Sequence, residues 1–173
     1  FTAPKKSAIP KVSDTKWPKN EIDFFVENKL DQLSLKPNEE ADKERLLKRV
    51  SFDLTGLPPT LNMTDKFLAD NSAGAYEKMV DLLLQAPQYG EKMALHWLDI
   101  ARYADSYGYQ DDNIRTQWPW RDWVIHAFNK NIPYDQFLTW QIAGDMLPNA
   151  TKEEMLATGF FRNHKYTEEG GVI

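Results

Sequence analysis

His96-Trp97-Leu98-Asp99-Ile100-Ala101-Arg102-Tyr103-Ala104-Asp105-Ser106-Tyr107-Gly108-Tyr109 is the stretch whose reading decides the fold. At a helical advance of about 100° per residue, it divides into two faces. Met93, Trp97, Ile100, Ala101 and Ala104 form an apolar stripe, and His96, Asp99, Tyr103 and Ser106 stand nearly opposite, with Arg102 on their flank. A face meant only for water usually carries Lys and Glu. This one carries groups that make directional hydrogen bonds or bind metal. The segment therefore predicts a helix over about 90–106 and, on its polar face, a candidate site.

The same period runs outward in both directions. Towards the N-terminus, Tyr76, Met79, Val80, Leu83 and Leu84 share one side of a helix around 75–85, which Pro87 ends. A short helix around 61–69 precedes it. Leu46, Leu47, Val50 and Leu54 face inward on an earlier helix, stopped by Thr55-Gly56-Leu57-Pro58-Pro59, because Gly permits left-handed geometry and Pro cannot continue a helix. Ile22, Phe25, Val26, Leu30 and Leu33 mark the first helix. Towards the C-terminus, residues 107–118 are polar and irregular. Trp120, Trp123, Val124, Ala127 and Phe128 then align, Pro133 opens a further helix to about Leu147, and Thr151 with Glu154 spells a capping box.

No convincing period-2 strand and no fixed repeat interrupts this pattern. The expected fold is all-α, a compact array of about six to eight short helices with Pro-punctuated turns. Phe25, Leu46, Val50, Val80, Leu83, Trp97, Ile100, Trp123 and Leu138 are its expected core. Residues 1–18, with three prolines and scattered lysines, read as an extended N-terminal arm, and 19–173 as one helical domain. The missing initiator Met and the ending Gly170-Gly171-Val172-Ile173 suggest a processed piece, its domain truncated at the C-terminal end.

With 173 residues, 42% of them apolar, the chain is long enough for one core. Twenty-one basic against 26 acidic side chains give a formal charge of −5, which argues against nucleic acid or an anionic membrane as the main partner. No apolar run approaches the roughly 20 residues of a transmembrane segment. Cysteine is absent, which removes disulfides, thiolate metal sites and Cys nucleophiles together.

The candidate site residues are His96, Asp99, Arg102, Tyr103 and Asp105, with Glu168 and Glu169 as contributions from a second segment. A His and an Asp three residues apart can share a metal, or pair an imidazole with a carboxylate that fixes its tautomer. The same residues can also form a buried structural network. Asp105 falls at a helix C-terminus, where a carboxylate needs compensation against the macrodipole; the structural alternative is a local Asx-type turn with an arginine partner, Arg102 or Arg121. Asp111 and Asn113 resemble the start of a calcium loop, but the Gly and acidic residue it needs do not follow. Trp118, Trp120, Trp123, Tyr134, Phe137 and Trp140 read mainly as core, Trp118 being the ring expected at the surface. Gln141 and Asp145 share a helix side, with Asp145 expected to pair with Arg121 or Arg162; Arg49 and Asp53 invite a similar structural reading.

Several segments, in order, resemble one known family: Leu54 to Thr60, Tyr89-Gly90, His96 to Ser106, Trp120 to Val124, Asn131 to Phe137, Gln141 to Asp145, Ala157 to Phe160 and Glu168 to Gly171. The chain resembles, over residues 20 to 171, the second cytochrome-associated domain of large exported planctomycete proteins, a family catalogued as of unknown function. The resemblance implies an exported, periplasmic or cell-surface multidomain protein with a c-type cytochrome domain, often encoded among sulfatases and polysaccharide-degrading genes. It also implies that the domain continues past Gly171 into a Cys-x-x-Cys-His haem-attachment signature. Without cysteine, no haem is attached covalently within these residues; haem c belongs to the full-length protein, with His96 or His164 as candidate axial ligands.

The leading expectation is therefore part of a c-type-cytochrome-linked electron-transfer protein or oxidoreductase, serving polysaccharide utilisation. In it His96 is a proton acceptor or ligand, Asp99 orients it and Arg102 holds an anionic group. Two alternatives stay open. One is a non-catalytic scaffold that binds a glycan or a partner protein. The other is a metal-dependent hydrolase using Asp99, His96 and Glu168.

Overall fold

The computed structural model describes residues 2–109 and 111–167, and the chain divides into two compact units at Ala41/Asp42. Among the described residues the fold is all-α, with eight α-helices and two 3-10 turns. No strand forms there; Ser106 and Ile114 make one isolated antiparallel bridge.

The first unit holds α1, Glu21–Gln32. Asn20 caps it by accepting from the amides of Ile22 and Asp23, and the Asn20 amide in turn donates to the Asp23 carboxylate. This reciprocal pairing satisfies otherwise orphaned N–H groups. Phe25, expected in the core, is 43% exposed, and the buried residue of α1 is Glu27. One twelve-residue helix and its flanking loops enclose too little to bury a whole apolar face.

The second unit packs two clusters. In the first, α2 (Lys43–Thr55), α3 (Leu61–Ala69) and α4 (Ala75–Leu84) bring together Leu47, Phe67, Met79 and Leu83. Leu47, read as facing inward, is fully buried, whereas Leu46 and Val50, expected in the core, sit half-buried at the margin. Gly56, at φ 72°, ends α2 in the left-handed conformation its sequence foretold.

The second cluster joins α5 (Pro87–Ile100), α6 (Trp118–Asn129), α7 (Tyr134–Ala143) and α8 (Lys152–Ala157), with 3-10 turns at Gly144–Met146 and Thr158–Arg162. Ala94, Trp120, Trp123, Val124, Ala127, Phe137 and Ala157 are buried in it. A fully buried side chain such as Val124 contributes about 1.5–3 kcal/mol from its apolar surface. The Trp123 and Phe137 rings stack 5.4 Å apart. Gly90 lets α5 and α6 approach: a Cβ there would lie 2.5 Å from Asn129 side-chain atoms and the Ile125 carbonyl. Asn129 uses the gap, accepting from the Gly90 amide at 2.8 Å and donating to Pro87 O at 3.0 Å. Thr151 and Glu154 form the expected capping box.

Candidate functional site

The helix predicted to reach residue 106 ends at Ile100. Arg102 adopts φ 58°, its amide donates to Asp99 O at 3.1 Å, and the Tyr103 amide donates to Leu98 O at 2.9 Å. These two bonds close a Schellman motif, a place where Gly usually stands because an L-residue at positive φ is strained by about 1 kcal/mol. The chain turns there, and the polar face expected over 96–106 is divided. Ile100, with no following turn to cover it, is 70% exposed rather than core.

His96, Asp99 and Arg102 consequently lie on the surface. Among the described residues, no side-chain hydrogen bond or ion pair joins them to each other or to Asp105. Glu168 and Glu169 lie outside the described residues.

Tyr103 and Asp105, past the turn, do come together. The Tyr103 hydroxyl donates to the Asp105 carboxylate, and its ring stacks on Trp120 with centroids 6.1 Å apart. Burial, followed by the hydrogen bond and charge of Asp105, pushes the Tyr103 phenol up to about 12, with Arg121 pulling the other way. Arg121 itself sits at the start of α6, bound to Asp122 Oδ1 through Nε at 2.9 Å and Nη2 at 2.8 Å. That hydrogen bond raises the guanidinium above its ordinary value. Tyr103 is therefore a phenol that keeps its proton and holds a carboxylate in place.

Between α5 and α6 the chain doubles back. Arg115 N donates to Asp105 O at 2.9 Å and Tyr107 N to Asn113 O at 3.1 Å. At the tip, Gly108 has φ 73° and its amide donates to Asp112 Oδ1 at 2.6 Å. Hydrogen bonds from the Ser106 hydroxyl and the Gly108 amide lower the Asp112 carboxyl below its ordinary value. Asp112 thus closes the turn.

Three residues that the sequence reading missed fasten the chain's last described segment to this loop. Arg115 is 8% exposed. Its Nη1 donates to Arg162 O at 2.7 Å and His164 O at 3.0 Å, its Nε to Ala104 O at 3.4 Å, and its guanidinium lies 5.9 Å from the Tyr107 ring centre. Gln117 Nε2 donates to Gly159 O at 2.8 Å and to Asn163 Oδ1 at 3.1 Å. Asn163 Nδ2 donates to Phe160 O, and the Tyr166 amide reaches Tyr107 O at 3.2 Å. The signal available was Arg115 and Gln117 two apart in an extended stretch, hence on one side of it.

His164 is exposed, and its Nδ1 lies 2.8 Å from Phe161 O. A carbonyl only accepts, so in this contact Nδ1 is the donor, and Nε2 takes no part in it. Gln141, 1% exposed, is core glue: Oε1 accepts from Trp97 Nε1 at 2.8 Å and Nε2 donates to Phe137 O at 3.1 Å. Asp145 is exposed and makes no ion pair among the described residues, so the expected bridge to Arg121 or Arg162 does not form. Trp118 is 51% exposed, as its place off the helical stripe implied. Among the described residues, no three His, Asp or Glu side chains are placed to hold a metal ion, and no helix is long and apolar enough to cross a membrane.

An all-α array with a C-terminal segment clamped by an arginine describes a class of architecture rather than a reaction. Residues 21–173 match the family described as PSCyt2, protein of unknown function (DUF1549), and the chain belongs to that family. No curated protein and no solved structure matches it.

Proposed function

We propose that this chain is the helical frame of an exported, c-type-cytochrome-linked electron-transfer protein, and that its task is to fix the segment 162–166. The single observation that carries this reading is the Arg115 clamp on Arg162 O and His164 O, joined by the Tyr166–Tyr107 bond. A buried guanidinium spent on main-chain carbonyls anchors the path of that segment. The resemblance to the cytochrome-associated family supports this reading, since it implies a haem-attachment signature following this domain.

The residues present fit such a group in one respect. With Nδ1–H donated to a carbonyl, His164 leaves Nε2 as the nitrogen that would meet a metal. A haem c, when bound, supplies one-electron transfer; the protein's part is ligation, hydrogen bonding and control of solvent. His96 and Asp99, exposed near the end of α5, and Arg102, exposed in the turn beyond it, then meet another domain of the same protein. Trp118 offers its ring to a sugar or to that domain.

The test is the full-length protein, isolated from the exported fraction of its native cell. A Soret band is expected, together with a reduction potential that moves in Arg115→Met. Loss of a nitrogen-ligated spectrum in His164→Ala would assign the ligand. A full-length protein with no haem absorbance overturns the reading.

A further inference from the structure

The first unit contains a cavity of about 650 Å³, lined by Asp14, Trp17, Glu27, Asp31, Lys36 and Glu39 among others. Its acidic groups are not all alike. Asp14 Oδ1 accepts from the Lys16 and Trp17 amides, at 2.8 and 3.3 Å. Asp31 accepts from the Ser13 amide at 2.8 Å and from the Ser13 hydroxyl, bonds that hold its carboxyl below the ordinary range. Glu27 is different: it is 3% exposed, and its Oε2 is buried with no hydrogen-bond partner among the described residues.

Folding alone gives no reason for this arrangement. Glu27 and Asp31 stand one helical turn apart on α1, where like charges repel. Burial first, then Asp31 and Asp14, raise the Glu27 carboxyl above its ordinary value. A buried polar oxygen with no partner is the state that native proteins avoid. A cation seated in the cavity would supply the missing partner.

We infer that this cavity is a binding site for a small organic cation bearing an ammonium group, held by Glu27 and Asp31 and faced by the Trp17 ring. Three observations select that class. The lining sets four carboxylates against Lys36, which favours positive charge over a neutral sugar. The volume falls in the range of small-molecule sites, and no three acidic groups among the described residues are close enough for a metal ion. Trp17 adds an aromatic wall of the kind that attracts ammonium groups.

The experiment titrates the full chain with putrescine, choline, calcium chloride and xylose, following heat of binding and thermal unfolding. Putrescine or choline should bind and raise the unfolding temperature. Glu27→Gln and Trp17→Ala should each weaken that binding by about tenfold or more, as expected for loss of one charge-assisted or cation–π contact. Lys36→Glu, on the exposed rim, should tighten it. Circular dichroism checks that each variant is folded, and the three variants stand independently should one fail. Absence of binding by both ammonium compounds, equal binding in Glu27→Gln and Trp17→Ala, or preference for calcium or xylose overturns the inference.

Discussion

Replacing Arg115 by Met keeps the aliphatic length of the side chain and removes the guanidinium. Two good bonds disappear, to Arg162 O at 2.7 Å and His164 O at 3.0 Å, with a weaker one to Ala104 O at 3.4 Å. A hydrogen bond from a charged donor contributes about 1.5–3 kcal/mol net, and one at the long limit much less. Part of the loss is offset because the guanidinium no longer has to be desolvated in a site only 8% exposed. The expected destabilisation is about 2–4 kcal/mol. For a chain of this size that is a fall in melting temperature of roughly 4–16 °C. Chemical denaturation followed by tryptophan fluorescence measures the total. Amide hydrogen exchange at Tyr166, whose N–H bonds to Tyr107 O, reports whether the segment loosens locally. Arg115→Lys, a point charge with no planar fork, should recover less than half of the loss. A change within about 0.5 kcal/mol, with Tyr166 protection intact, would refute the clamp.

Gly90→Ala should destabilise by about 1–3 kcal/mol in denaturant titration, because the added Cβ meets Asn129 and the Ile125 carbonyl at 2.5 Å; a neutral result would mean that α5 and α6 are not in close approach. Spectrophotometric titration should find one tyrosine ionising near pH 12, and Asp105→Asn should bring it down. Because the folded value of Tyr103 lies above the ordinary 10.0, its stabilising contribution is complete below that pH and is lost as pH rises towards about 12. Glu27 obeys the same sign. Its carboxyl is raised from 4.5, so its contribution is complete in acid and lost as pH rises through the folded value. Glu27→Gln should therefore melt higher than the unaltered chain at pH 7, with the gain vanishing in acid; a lower melting point at pH 7 would contradict the unpartnered state of Oε2.

Where local chemistry dominates, the fold was legible from residues alone. The Gly56 stop, the break between α4 and α5 at Pro87, the Thr151–Glu154 box and the aromatic alignment of α6 each rest on contacts a few residues long. The candidate site was less legible for a specific reason. Arg102 occupies a left-handed position that glycine normally announces, so the helical period ran on through a turn with no mark on it. His96 and Asp99 were thereby aligned on paper with Tyr103 and Ser106, from which the turn separates them. Arg115 and Asn163 lie 48 positions apart and find each other's neighbourhood only through the packing of α6 and the last 3-10 turn, a non-local fact beyond any periodicity. The same limit concealed Glu27, whose burial depends on the loops around α1.

Arg115 grips carbonyl oxygens, and every amino acid supplies one. The anchor is therefore indifferent to which side chains occupy 162 and 164. The clamp itself therefore leaves position 164 open to an imidazole or to any other side chain, and the route of the segment across the domain does not depend on which one stands there. A variant library randomised at Arg162 and His164 should accordingly retain a folded majority, whereas one randomised at Arg115 should not.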